Sequence, residues 1–139
     1  MRKILLLLLC TAAVGLSSCK KEVIVDPGLP NETIETIIAP SAWVSTNGGE
    51  TLTTTISFPE LDASTFLNDG LIVALYPDNS VAEYRGMPFT YNGLAYSYTA
   101  RRGSITVDIE TSGDNNLIPT RPVVPIGLRV TIVTSTLRN

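Results

Sequence analysis

Residues 51–58 read TLTTTISF and alternate with a period of two: Leu52, Thr54, Ile56 and Phe58 fall on one side, Thr51, Thr53, Thr55 and Ser57 on the other. Successive side chains of an extended chain point to opposite faces, so this is the pattern of a strand with one face in a core. The β-branched threonines of the other face suit a pleated, solvated surface. The same alternation returns where Ile105, Val107 and Ile109 are set against Thr106, Asp108 and Glu110. Here one side is apolar and the other charged, so one face of the sheet is expected in water, as antiparallel sheets allow.

Between these two strands, Leu71 to Tyr76 (LIVALY) is a continuous apolar run, which predicts a strand covered on both faces, followed by the turn residues Pro77-Asp78-Asn79. Short strands are then expected at Val81 to Tyr84, Phe89 to Tyr91 and Leu94 to Ala100. The last two are joined by Asn92-Gly93, the dipeptide suited to a type I′ hairpin turn with positive φ at both central residues. Arg101-Arg102-Gly103 makes the next reversal. The final strand covers Gly127 to Val133, and Pro119, Pro122 and Pro125 keep the preceding segment out of any central ladder. An early strand is expected at Thr33 to Ala39. Asp62 can cap a short helix that carries Phe66 and Leu67 and ends at Gly70. Six to eight strands at this spacing predict an all-β fold, a single small antiparallel β-sandwich of immunoglobulin-like size over residues 32–139, rather than a closed barrel. The chain has no internal repeat and no low-complexity tract.

The N-terminus has a different logic. Arg2 and Lys3 precede an apolar run from Ile4 to Leu9 that continues through Cys10 to Val14, and Leu16-Ser17-Ser18-Cys19 follows. A charged segment, an apolar segment and small residues before a cysteine are the order of a signal peptide. The run is shorter than the 18–20 or so apolar residues that span a bilayer. LSSC resembles the lipobox read by the lipoprotein signal peptidase. The resemblance implies removal of residues 1–18 and lipid on Cys19, so that the chain is held to a membrane. Residues 19–31 then form a tether, with Pro27 and Pro30 stiffening it and Gly28 loosening it.

Processing changes the charge balance. Without Arg2 and Lys3, the ten basic side chains fall to eight against thirteen acidic ones, a formal balance of minus five. That disfavours nucleic acid, which demands a basic face. Both cysteines are also spent, Cys10 with the signal and Cys19 on the lipid, so no disulfide is available and an apolar core must carry the fold.

CKKE at 19–22 resembles the start of many lipoproteins of Bacteroidetes and related diderm bacteria. Lys20 is not the aspartate that retains enterobacterial lipoproteins at the inner membrane, so the resemblance leans towards the outer membrane. Glu22 and Asp26, interrupted by lysines and apolar residues, leave the periplasmic or surface side open. Farther along, Trp43, LDASTFLNDGLIVALYPDN at 61–79, RGMPF at 85–89 and GLRVTIV at 127–133 resemble small Bacteroidetes lipoproteins of uncharacterised function. This implies a sandwich domain and no site.

Chemistry is read mainly by exclusion. The chain has no histidine, so Ser-His-Asp triads, Cys-His pairs and histidine zinc sites are ruled out. Lysine stops at Lys21, which removes Schiff-base mechanisms from the domain. Carboxylates remain: Asp62 and Asp69 around the helix, Asp108 and Glu110 on one strand face, and Glu50, Glu60, Asp78 and Glu83 scattered. A hydrolase would need two of them about 5–10 Å apart in a cleft. Gly113-Asp114-Asn115-Asn116 has oxygens for calcium but lacks the EF-hand alternation, and reads first as a polar turn. No cofactor and no metal site are expected.

The aromatic residues are the remaining clue. Tyr91, Tyr96 and Tyr98, with Phe89 and Arg101, are the candidate binding surface, able to stack on sugar rings or anchor a protein, or else to form a cross-strand ladder over the core. The expectation is therefore a non-enzymatic interaction or structural module of the envelope. Its membrane contact is through the lipid, and its partner is a protein or glycan. A glycan-binding module is the alternative, and a carboxylate hydrolase the third reading.

Overall fold

Residues 30–76, 83–113 and 118–135 are described by the computed structural model. The signal and tether read from the sequence, Cys19 included, lie outside them apart from Pro30 and Asn31. Among the described residues nine strands form: β1 Glu32–Ile38, β2 Val44–Thr46, β3 Thr51–Ser57, β4 Gly70–Leu75, β5 Arg85–Gly86, β6 Phe89–Tyr91, β7 Leu94–Arg101, β8 Ser104–Thr111 and β9 Ile126–Val133. One helix, α1, spans Ala63–Asn68. A four-stranded sheet runs β1-β9-β4-β5 and a five-stranded sheet runs β2-β3-β8-β7-β6. Every pairing is antiparallel. The fold is an all-β sandwich.

Register explains the core. In the first sheet Val73 faces Val130 and Leu75 faces Leu128, and in the second Leu52 faces Ile109 and Thr54 faces Val107. These inward rows bring Ile38, Val73, Leu75, Ile105, Val107, Ile109, Ile126, Leu128, Val130 and Ile132 together between the sheets. Trp43, fully buried, closes one side where the chain crosses from β1 to β2 through a 3-10 turn at Pro40–Ala42. Its indole Nε1 meets no acceptor among the described residues.

The local turns follow their residues. Asn92 and Gly93 have φ of 50° and 75°, as a type I′ hairpin requires. Asp62 caps α1, accepting from the Ser64 and Thr65 amides at 2.8 Å each. The helix stops at Asn68 rather than Gly70, because Asp69 is extended and Gly70 already opens β4. At the β7–β8 hairpin Gly103 has φ of 77°. Its amide donates to the Leu61 carbonyl and its carbonyl accepts from the Phe58 amide, both at 2.9 Å, so the hairpin tip is tied to the segment leading into α1.

Three expectations are corrected. LIVALY is covered on one face only: Val73 and Leu75 are buried while Ile72 points outward and is exposed. The short strand expected over Val81 to Tyr84 is instead Arg85–Gly86, with Glu83 and Tyr84 outside it and 81–82 outside the described residues. The helix expected to end at Gly70 stops earlier, at Asn68.

The sandwich has two ends. At the base lie the start of β1, the end of β9, α1 and the β7–β8 hairpin. At the apex lie the end of β1, the start of β9, the β6–β7 turn and the 3-10 turn Asn47–Gly49 between β2 and β3.

Candidate functional site

The aromatic surface read from the sequence is turned inward. On β7, Tyr96 pairs with Ile109 and Tyr98 with Val107, and both partners are core residues, so both tyrosines face the opposite sheet. Tyr96 is 7 % exposed. Phe89 stacks on it from β6, ring centroids 4.6 Å apart and planes 8° from parallel. Phe89, Tyr91 and Tyr98 are half-buried and pack against the core. Burial, and then the neighbouring Tyr91, raise the Tyr96 phenol above its ordinary pKa of 10.0. Face-to-face access for a sugar ring is therefore taken by Phe89.

Arg101 does not join this group. It ends β7 at the base, whereas Tyr91 pairs with Leu94 at the apical start of the same strand. Seven residues of strand at about 3.3 Å each separate the two positions. The cation that does reach the cluster is Arg85, whose guanidinium lies 4.3 Å from the Tyr91 ring centroid. Its other partner is Glu83 at 2.8 Å.

The carboxylates are taken up by hydroxyl and amide partners. Asp108 accepts from the Thr53 hydroxyl at 2.7 Å and Glu110 from Thr51 at 3.4 Å, on the outer face of the five-stranded sheet. Asp62 is the helix cap, and Asp69 accepts from the Ser135 amide at 3.1 Å. Among the described residues no three His, Cys, Asp or Glu side chains gather closely enough to hold a metal ion. Of the calcium candidate only Gly113 is described, and 114–116 lie outside the described residues.

The outer face of the four-stranded sheet carries a second aromatic cluster, which is a clasp. Gly127, near the apical end of β9, leaves room for Tyr84: a Cβ there would lie 3.1 Å from the Tyr84 hydroxyl. Arg129 sits 4.1 Å above the Tyr84 ring and donates through Nε to Glu35 at 2.7 Å. Tyr76 flanks Tyr84 at 5.5 Å. These partners satisfy one another across β1, β9 and the strand-linking segment after β4.

No family model matches the chain, and no curated protein or solved structure matches it either. Function must be argued from surface.

What the surface offers is exposed aliphatic side chains at the apex. Val123 is 91 % exposed, and Ile37, Ile118 and Val124 are exposed with it. Ile37 lies opposite Gly127 near the end of β1, and Val124 comes two residues before Ile126, the partner of Ile38. Ile118 lies beside the Asn47–Gly49 turn, its Cγ2 4.0 Å from where a Cβ on Gly49 would sit. Val44, also exposed, opens β2 just after the crossover from β1. The sequence held a signal for this surface: Arg121-Pro122-Val123-Val124-Pro125 places two valines between prolines, where no strand can form to bury them.

Proposed function

We propose that this chain is a non-enzymatic interaction module of the bacterial cell envelope, anchored by lipid on Cys19, which meets a protein partner through its apolar apex. The carrying observation is the group Ile37, Ile118, Val123 and Val124 at the end of the sandwich away from the tether. Exposed branched apolar side chains gathered at one end of a domain are disfavoured in water and suit an interaction site. Branched aliphatic side chains favour a protein surface over a sugar, which stacks on exposed aromatic rings. The glycan reading loses support because Tyr96 is buried beneath Phe89. The hydrolase reading loses support because Asp108 and Glu110 lie on a flat outer face, each bonded to a threonine. The lipobox supports the anchor, and Lys20 supports the outer membrane.

The test is photo-crosslinking in cells with benzoylphenylalanine placed at Val123 and, as control, at exposed Thr55 on the five-stranded sheet. One discrete adduct is expected from 123 and none from 55, and Ile118→Asp should remove it while Trp43 emission stays that of a buried indole. The same adduct from both positions, or none from 123, would overturn the reading. A non-penetrating protease applied to intact cells reports the side of the membrane.

A further inference from the structure

The base of the sandwich has its own exposed apolar group, and it lies where the tether enters. Phe66 and Leu67 of α1 are 41 % and 67 % exposed. The Thr134 amide donates to the Asn31 side chain at 3.3 Å, the next residue's amide donates to Asp69, and the Ser135 hydroxyl donates to the Asn68 carbonyl. Asn31, the last residue of the tether, is thus one hydrogen-bonded step from the C-terminal end of α1. Gly103 ties the β7–β8 hairpin to the segment before α1, so helix, hairpin and tether entry share one face.

We infer that this base is a membrane-docking face, in which Phe66 and Leu67 enter the interface of the bilayer that holds the Cys19 lipid. The inference rests on the lipid-anchor reading. The twelve steps from Cys19 to Asn31 keep the lipid within about 40 Å of the base even at full stretch. Held that close, two apolar side chains meet the lipid surface at high effective concentration, and contacts too weak to recruit a free protein suffice.

Charge decides which lipid. Among the described residues the base carries Arg101 and Arg102 against Glu32, Glu60, Asp62 and Asp69, so it is net acidic. Docking is therefore apolar insertion into a zwitterionic surface, not attraction to anionic head groups.

The experiment uses the chain from Cys19, which contains every described strand, coupled through that thiol to a maleimide-bearing lipid in phosphatidylcholine vesicles. Leu67→Trp in a Trp43→Phe background is the reporter, with Thr55→Trp in the same background as control, and brominated phosphatidylcholine as quencher. Emission at 67 should be quenched severalfold more than at 55, and Phe66→Asp should abolish the difference. Equal quenching at both positions overturns docking, as does quenching that needs anionic phosphatidylglycerol and disappears in salt. A residue 67 shielded in native envelope membranes but not in pure lipid would assign the face to a protein and overturn the lipid occupant. Because the anchor is supplied chemically, these outcomes do not depend on the cell's own lipidation. Mass spectrometry of Cys19 from cells tests that separately.

Discussion

At the residue scale, the hairpin tip at Gly103 depends on backbone conformation alone. Its φ is positive and a Cβ there would meet nothing within 4 Å, so substitution brings no clash, only the cost of a left-handed conformation. Gly103→Ala should lower stability by about 1–2 kcal/mol, and Gly103→Asn by less, since asparagine tolerates that region. Chemical denaturation followed through Trp43, the chain's only tryptophan and wholly buried, measures both. An alanine variant as stable as the parent would show that the turn relaxes freely. Tyr96 shows what a single sequence position can reveal. Alternation puts Tyr96 and Tyr98 on one face of a strand. Which face points inward is decided by the pairing of Tyr96 with Ile109 and of Tyr98 with Val107 on the next strand, and by the core that those partners face. The sequence pattern was right about the grouping and silent about its direction.

At the scale of elements, β3, β7, β8 and β9 were legible because each alternates over six or more residues, and the β6–β7 turn because only residues tolerant of positive φ fit it. β2 was not legible: three residues carry no period, and Trp43 beside it gives no sign of facing inward. α1 was legible from its cap, and that cap titrates. The Thr65 amide, then the Ser64 amide and the charge of Arg102, hold the Asp62 carboxyl below its ordinary value of 3.8. A carboxylate lowered by folding contributes stability above its unfolded pKa, and that contribution is lost as pH falls through the lower folded value. Asp62→Asn keeps a cap acceptor without the titration. Its deficit relative to the parent should be present at pH 7 and narrow as pH falls below about 4, the ordinary carboxylate range, in parallel denaturation series. A gap constant down to pH 2 would remove the carboxylate from the explanation.

At the scale of the whole molecule, the inward aromatic group should limit alkaline stability. Folding raises the Tyr96 pKa, so its neutral form is favoured in the folded state. Its contribution is complete below the unfolded value near 10 and is lost as pH rises through the higher folded value. Denaturation midpoints should fall above pH 10 and fall less steeply in Tyr96→Phe. Identical slopes would exonerate the phenol. The order of strands was the least legible feature, since periodicity says which way a side chain points and nothing about its neighbour. That order also sets a clock. Among the described residues the first strand pairs with β9 alone, and Glu32 pairs with Ile132. A chain emerging N-terminus first therefore leaves β1 single until β9 appears, because the contact closes a loop of about a hundred residues and such contacts form late. The four-stranded sheet therefore locks last, once β9 is available to lie between β1 and β4.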